Sequence, residues 1–302
     1  MRIAFLGLGG VGGYFGAKLA RTYDGSDSIE ISFLCRERTA AAIRERGIRL
    51  ITPGQEFVTH PHRVITRCDG QATFDFLIVA VKGYDLAASL NQFRACIGPG
   101  TVILPLLNGV DAPHIIRRMF PANPVLEGCV YIVSRITSPG VITETGNIHQ
   151  LHFGGRDSNR CTELFELIRS AHDDTFLHDN INGVIWEKFV FISSIASLTS
   201  FLDKKIGQIF QSEQDLGLLK ALIGEVVEVA KAEGVELRAD IVSGTLDKMS
   251  RLPFDTTSSM HSDFKAGNQT EIDSLTGHVI QLAHAHRISC PVYEKIYVAL
   301  HN

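Results

Sequence analysis

The sequence lacks the short patterns that announce a metal site or a disulfide framework. Its six cysteines (Cys35, Cys68, Cys96, Cys129, Cys161 and Cys290) include no C-x-x-C pair. That fits the reduced thiols of a cytoplasmic protein better than crosslinks or structural zinc. The twelve histidines form close pairs, His60 with His62, His149 with His152 and His284 with His286, but no H-E-x-x-H or Cys/His pattern. No metal is therefore expected. A basic excess is also missing. The formal net charge of −4 argues against nucleic acid, whose binders carry a concentrated basic face. No apolar run approaches the length that crosses a bilayer, and a strand-like run starting at Arg2 leaves no room for a signal peptide. Neither internal repeats nor low-complexity tracts occur. What remains is a 302-residue chain with 45% hydrophobic and 21% charged residues, the profile of a globular protein with two ordinary domains or one large one.

Against these absences, the N-terminus is dense with signal. Arg2-Ile3-Ala4-Phe5-Leu6 reads as a buried strand, running into Gly7-Leu8-Gly9-Gly10-Val11-Gly12 and then into a helical pattern from Gly13 to Ala20. Glycines spaced G-x-G-x-x-G allow a tight turn, close backbone approach to a pyrophosphate and close packing of helix on strand. The first helical turn then offers free N–H groups and the positive end of the helix dipole. Strand, turn and helix in this order predict a dinucleotide site on Gly7, Leu8, Gly9, Gly10, Val11 and Gly12.

A second strand is expected over Ile29–Leu34. Enzymes that prefer NAD usually end this strand in an acid that holds the ribose 2′-hydroxyl. Here the strand ends in Cys35-Arg36, with Arg38 two residues on. A guanidinium can grip a 2′-phosphate through two parallel hydrogen bonds, so NADP (as NADPH) is the expected cofactor. The alternative is that both arginines are solvated loop charges.

From Met1 to about His178 short apolar runs alternate with helical patterns, as a βαβ sheet requires. Phe74–Val81 and Thr101–Leu107 read as buried strands, with helical spacing from Tyr84 to Cys96 between them. Val125–Ile136, Gly140–Thr145 and Ile148–Phe153 read as later strands, joined by turns at Ser138-Pro139-Gly140 and Thr145-Gly146-Asn147, that extend the sheet in an antiparallel sense. Beyond Asp179 the strand signals stop. Helical patterns cover Ile181–Phe201, Glu213–Glu233, Arg238–Met249, Glu271–His286 and Pro291–His301. The fold class is therefore α/β, with a Rossmann dinucleotide-binding domain over residues 1–179 and an all-α substrate and catalytic domain over 180–302.

Ligands of open α/β sheets gather outside the carboxyl ends of the strands. Lys82 follows one such strand and Asn108-Gly109 another. Either can serve the cofactor or substrate, or simply close a loop. The stretch Val184–Ile192 is apolar nearly all round, which marks a buried helix, yet it carries Lys188. Lysine is almost never fully buried without a partner. It is either a proton donor aimed at a cleft or, with Glu187, the one wet stripe of its helix. Ser258-Ser259 and Glu271 sit where an N-cap and a first-turn acid are ordinary.

Taken in order, Gly7 to Gly12, Val81-Lys82, Asn108-Gly109, Trp186-Glu187-Lys188, Ser258-Ser259-Met260 and Thr270-Glu271-Ile272-Asp273 resemble the ketopantoate reductase (2-dehydropantoate 2-reductase) family over nearly the whole chain. The resemblance implies an active site in the cleft between a Rossmann and a helical domain. It also implies NADPH-dependent reduction of a 2-keto acid on the route to pantothenate and coenzyme A. By the same resemblance Lys188 is the general acid and Glu271 its partner, and Asn108 lies between cofactor and substrate. Lys82 lines the cofactor cleft, Ser259 helps hold the substrate carboxylate, and Arg36 meets the 2′-phosphate. A homodimer is a possible assembly. One departure stands out. The family pattern has asparagines four and eight residues after the lysine, where this chain has Ile192 and Ala196. Apolar groups make no hydrogen bond to a substrate hydroxyl or carboxylate. That leaves the identity of the ketone open, with another 2-keto acid, an opine, or a non-catalytic NADPH sensor as alternatives.

Overall fold

The structure is a computed structural model describing residues 1–68, 70 and 73–301. It divides into two compact units: Met1–Leu107 with Ala112–Ile181, and Asn108–Asp111 with the chain from Asn182 onward.

The strands of the first unit are β1 (Arg2–Leu6), β2 (Glu30–Leu34), β3 (Ile48–Thr52), β4 (Gln55–Thr59), β5 (Arg63–Ile65), β6 (Phe76–Val79), β7 (Val102–Pro105), β8 (Glu127–Ser138), β9 (Val141–Gly154) and β10 (Thr175–His178). Its helices are α1 (Gly10–Thr22), α2 (Glu37–Arg46), α3 (Leu86–Gln92), α4 (Ala112–Met119) and α5 (Ser158–Arg169). A parallel sheet has the order β5-β2-β1-β6-β7. Its central strand shows why the sequence reads as an unbroken apolar run: Ile3, Ala4 and Phe5 have no exposed surface, as a strand covered on both faces requires. One face packs on α1, and the other forms a core with Leu86 and Leu90 of α3 and Ile116 of α4.

The strands after residue 125 depart from the expected arrangement. They do not extend the parallel sheet but build a second one, ordered β10-β9-β3-β4 with β8 antiparallel to β9. The turn expected at Thr145-Gly146-Asn147 is absent as well, because β9 runs through it. Ile132 pairs with His149 whereas Ser134 pairs with Glu144, so residues 145–148 form a bulge that looks like a turn in sequence. This second sheet lies on the far side of α1, and Leu50, Ile142, Leu151 and Phe153 join its core. α1 is thus sandwiched between two sheets. A Cβ on Gly13 would meet Ile142 Cδ1 at 2.5 Å, and one on Gly16 would meet Phe33 Cε1 at 2.9 Å. The glycines beyond the motif keep both sheets within reach of one thin helix.

Cys68 and Cys96 form a disulfide, with Cα atoms 5.6 Å apart, correcting the expectation of six reduced thiols. Spacing gave no hint, because the partners are 28 residues apart and the fold alone brings them together. Cys35, Cys129, Cys161 and Cys290 are buried and lie outside this disulfide.

The second unit contains α6 (Ile181–Leu202), α7 (Ile206–Gln211), α8 (Glu213–Ala232), α9 (Ile241–Ser250), α10 (Ser259–Lys265), α11 (His278–His286) and α12 (Pro291–His301). At 22 residues, α6 is long and apolar enough to cross a bilayer by length and composition, contrary to the sequence expectation. However, 67% of its apolar window is buried within the fold, so it is a core helix. Several hydroxyls on α6 are consumed inside that core. The Ser193 hydroxyl lies 2.9 Å from the Tyr293 hydroxyl of α12, and Ser197 lies 2.8 Å from Thr276. Glu225 of α8 accepts the amides of Val292 and Tyr293 at 3.0 and 3.1 Å, capping α12. The helix expected from Glu271 opens instead with a π-helical turn, Asp273–Gly277, ahead of α11.

Candidate active site

At the carboxyl end of β1 the chain turns on Gly7, whose φ of +90° falls where side-chain-bearing residues rarely go. A Cβ there would also meet Val81 Cγ1 at 2.6 Å. At Gly12 a Cβ would collide with the Gly7 carbonyl oxygen, so helix and turn touch backbone to backbone. Gly9 differs. A Cβ on it would find only the Ala80 carbonyl, 3.9 Å away, so the space in front of its backbone is open. α1 begins at Gly10 with no side-chain cap and no acid in its first turn, and the Gly13 amide donates to the Gly9 carbonyl at 2.8 Å. The amides of Gly10, Val11 and Gly12 precede that bond and have no intrahelical acceptor. The Leu8 side chain is core and Val11 is partly buried against the core, so the turn offers a ligand chiefly their backbone. This cradle of amides, positive dipole end and missing Cβ atoms fits a pyrophosphate.

Two further predicted residues lie at the same edge of the parallel sheet. Arg36 follows β2 and starts α2, its side chain 77% exposed. Lys82 follows β6 and precedes the single 3₁₀ turn Gly83–Asp85. Arg36 Nη2 donates to Asp85 Oδ2 at 2.8 Å. Nothing in the sequence marked Asp85 as the arginine's partner, since the two are 49 positions apart.

In the second unit, Lys188 is 7% exposed, which rules out the wet-stripe reading. Its neighbour Glu187 turns elsewhere, to Arg238 at 3.0 Å. Lys188 Nζ donates to Asn108 Oδ1 at 3.0 Å, so residues eighty positions apart meet in one unit. Asn108–Asp111 leave the sheet unit to do this. Gly109, at φ +96°, makes that excursion possible, and a Cβ on it would approach the Ser274 carbonyl oxygen at 3.4 Å. π turns inside α-helices often mark functional positions, and here the turn holding Ser274 backs the loop that carries Asn108. Glu271, 3% exposed, lies just before that turn. Ser259 is exposed at the start of α10, whereas Ser258 is the N-cap, accepting from the His261 amide at 3.0 Å. Ala196 is 2% exposed, and Ser193, Ser194 and Ser197 are fully buried. With Ser193 and Ser197 bonded to Tyr293 and Thr276, these hydroxyls do not stand in for the family's asparagines.

Sequence reasoning named Asn108 and Lys188 separately, and the structure joins them. It missed Asp85 and the π turn. Among the described residues, no group of three or more His, Cys, Asp or Glu is arranged to hold a metal ion.

Comparison with known proteins gives consistent results. The profile "Ketopantoate reductase PanE/ApbA" matches residues 3–158, and its C-terminal counterpart matches residues 180–302. YkpB of Bacillus subtilis (strain 168), described as an uncharacterized oxidoreductase, is 29% identical over 99% of this chain and 98% of its own length. The crystal structure of 2-dehydropantoate 2-reductase from Porphyromonas gingivalis W83 is 32% identical, with a TM-score of 0.86 over 100% of this chain and 99% of that one. D-mandelate dehydrogenase with NADH and anilino(oxo)acetate shares the fold at 20% identity and a TM-score of 0.88, over 100% of this chain and 97% of that one.

Proposed function

The chain belongs to the ketopantoate reductase family of nicotinamide-dependent oxidoreductases, and from that membership we propose that it reduces a 2-keto acid with NADPH, ketopantoate foremost, to supply pantoate for pantothenate and coenzyme A. The observation that carries this reading is the buried Lys188 ammonium, donating to Asn108 Oδ1 at 3.0 Å from a helix that is otherwise largely apolar.

Bound NADPH supplies the hydride. This chain's residues handle charge and orientation. The Lys188 ammonium places positive charge beside the oxygen on which negative charge develops and then donates its proton to it, leaving a neutral amine. Asn108, by accepting from Nζ, fixes which way that ammonium points. Glu271 acts as the acidic partner that keeps the lysine charged, and Ser259 offers a hydroxyl to the substrate carboxylate. The amides of Gly10 to Gly12, with the open backbone at Gly9, hold the pyrophosphate, and Lys82 lines the cofactor cleft. Arg36 takes the 2′-phosphate and sets the preference for NADPH, a preference the fold leaves open because the D-mandelate dehydrogenase of the same architecture carries NADH.

The substrate follows from Ile192 and Ala196. Without two amides on the face of Lys188, ketopantoate loses contacts to its hydroxyl, and an apolar wall discriminates by only about 1–3 kcal/mol. Branched 2-keto acids lacking that hydroxyl are then also accepted.

NADPH oxidation against a panel of 2-keto acids, comparing ketopantoate with 2-ketoisovalerate, tests this. A preference beyond about 10⁴-fold, the range of a dedicated hydrogen-bonding site, would refute the relaxed selectivity. Tight NADPH binding without turnover of any 2-keto acid would favour the sensor instead. Lys188→Ala is expected to retain cofactor affinity and lose about 10²–10⁴ in turnover. Unchanged turnover would remove the lysine from the mechanism.

A further inference from the structure

Asp85 has no role in the reading above, yet it holds the guanidinium on which the cofactor preference rests. Arg36 comes from the end of β2 and Asp85 from the turn after β6, and β1 lies between those strands. Neighbouring strands lie about 4.8 Å apart, so the ion pair bridges roughly 10 Å. It does so across the carboxyl end of β1, where the glycine turn begins. The other acid beside Arg36 is already engaged, since Glu37 accepts from Arg44 at 3.0 Å. The residue ending β2 is the one that meets the ribose 2′ substituent in this fold. The Asp85 carboxylate, 2.8 Å from that residue's guanidinium, therefore engages donors that a 2′-phosphate would need.

We propose that Asp85 is a specificity-determining residue that competes with the adenosine 2′-phosphate for Arg36 and so narrows the preference for NADPH over NADH. The inference rests on the NADPH reading of Arg36. Its physical basis is that the two anions need the same donors. The bridge is exposed, 77% on the arginine and 34% on the aspartate, and such pairs are weak enough to be displaced. A doubly charged phosphate takes the guanidinium through paired, charge-assisted bonds. The displaced carboxylate then stays nearby and repels the phosphate. NADH has no 2′-phosphate to compete for Arg36, so the Arg36–Asp85 pair persists through its binding. An acid that a NAD enzyme would place at the end of β2 is here delivered from the loop after β6.

Titration of cofactor fluorescence with NADPH and with NADH tests this in the wild type, Asp85→Asn, Arg36→Ala and the double variant, each checked for an unchanged melting temperature. Asp85→Asn is expected to tighten NADPH by about 5- to 10-fold and to leave NADH within about twofold. In the Arg36→Ala background most of that gain should vanish. Unchanged or weakened NADPH binding in Asp85→Asn would overturn the proposal, as would an equal gain without Arg36. Full NADPH affinity in Arg36→Ala would overturn the NADPH reading and this inference with it. A loss in Arg36→Ala with no gain in Asp85→Asn would overturn the inference alone.

Discussion

His172 makes the stability of the cofactor-binding unit depend on pH. It is 3% exposed, and its ring stands edge-on to Tyr14 and Phe15 of α1 at centroid distances of 5.7 and 5.1 Å. Its Nε2 lies 2.6 Å from the His149 carbonyl oxygen, which makes it the N–H donor of a neutral imidazole. Burial pushes the pKa down from 6.5 to about 4; the carbonyl bond opposes the shift, and the nearby Lys18 and His149 reinforce it. Above pH 6.5 neither the folded nor the unfolded state carries the proton, and the group is neutral in its effect. Between pH 6.5 and 4 the unfolded chain binds a proton that the folded unit refuses, so stability falls as pH falls. At pH 5 the unfolded state is favoured by 1.5 pK units, or about 2 kcal/mol. Denaturation by urea at pH 7.5 and pH 5 measures this directly. His172→Gln keeps an N–H donor for the carbonyl but cannot titrate. It is expected to lose about 2 kcal/mol less than the wild type over that interval. Equal losses in both proteins, or an imidazole that titrates by NMR near 6.5, would refute the argument.

Other expectations are simpler to state. Gly12→Ala places a methyl on the Gly7 carbonyl oxygen and should abolish NADPH binding while lowering the melting temperature; unaltered affinity by titration would contradict the backbone contact. Arg36→Ala should weaken NADPH by about 10- to 100-fold, the loss of charge-assisted bonds of roughly 1.5–3 kcal/mol, and leave NADH nearly unchanged. Tyr293→Phe removes the hydroxyl that meets Ser193 in the buried core; a loss of about 1 kcal/mol in urea denaturation with unchanged kcat would mark these serines as structural. Ile192→Asn should raise the ketopantoate to 2-ketoisovalerate ratio of kcat/KM, and an unchanged ratio would show that this helix face does not meet the substrate hydroxyl.

Local chemistry was legible without a fold. The glycine turn declared itself because only glycine tolerates φ +90° at Gly7 and the backbone contact at Gly12, and those constraints lie within a few residues of one another. The parallel sheet was legible because β1, β6 and β7, covered on both faces, must be apolar throughout. Lys188 stood out because a charge in an all-apolar helix conflicts with its surroundings, and that conflict is visible in the sequence itself. What the sequence could not carry was pairing across distance. The second sheet was misassigned because a bulge and a turn have the same composition, and only the register opposite Ile132 and Ser134 separates them. The Cys68–Cys96 bond, the meeting of Lys188 with Asn108 and the Arg36–Asp85 bridge each join residues 28 to 80 positions apart. Nothing in the flanking residues encodes them. Residue type fixed what each group can do; the tertiary structure decided which groups stand within hydrogen-bonding distance, because at about 3 Å an interaction depends on where the chain returns.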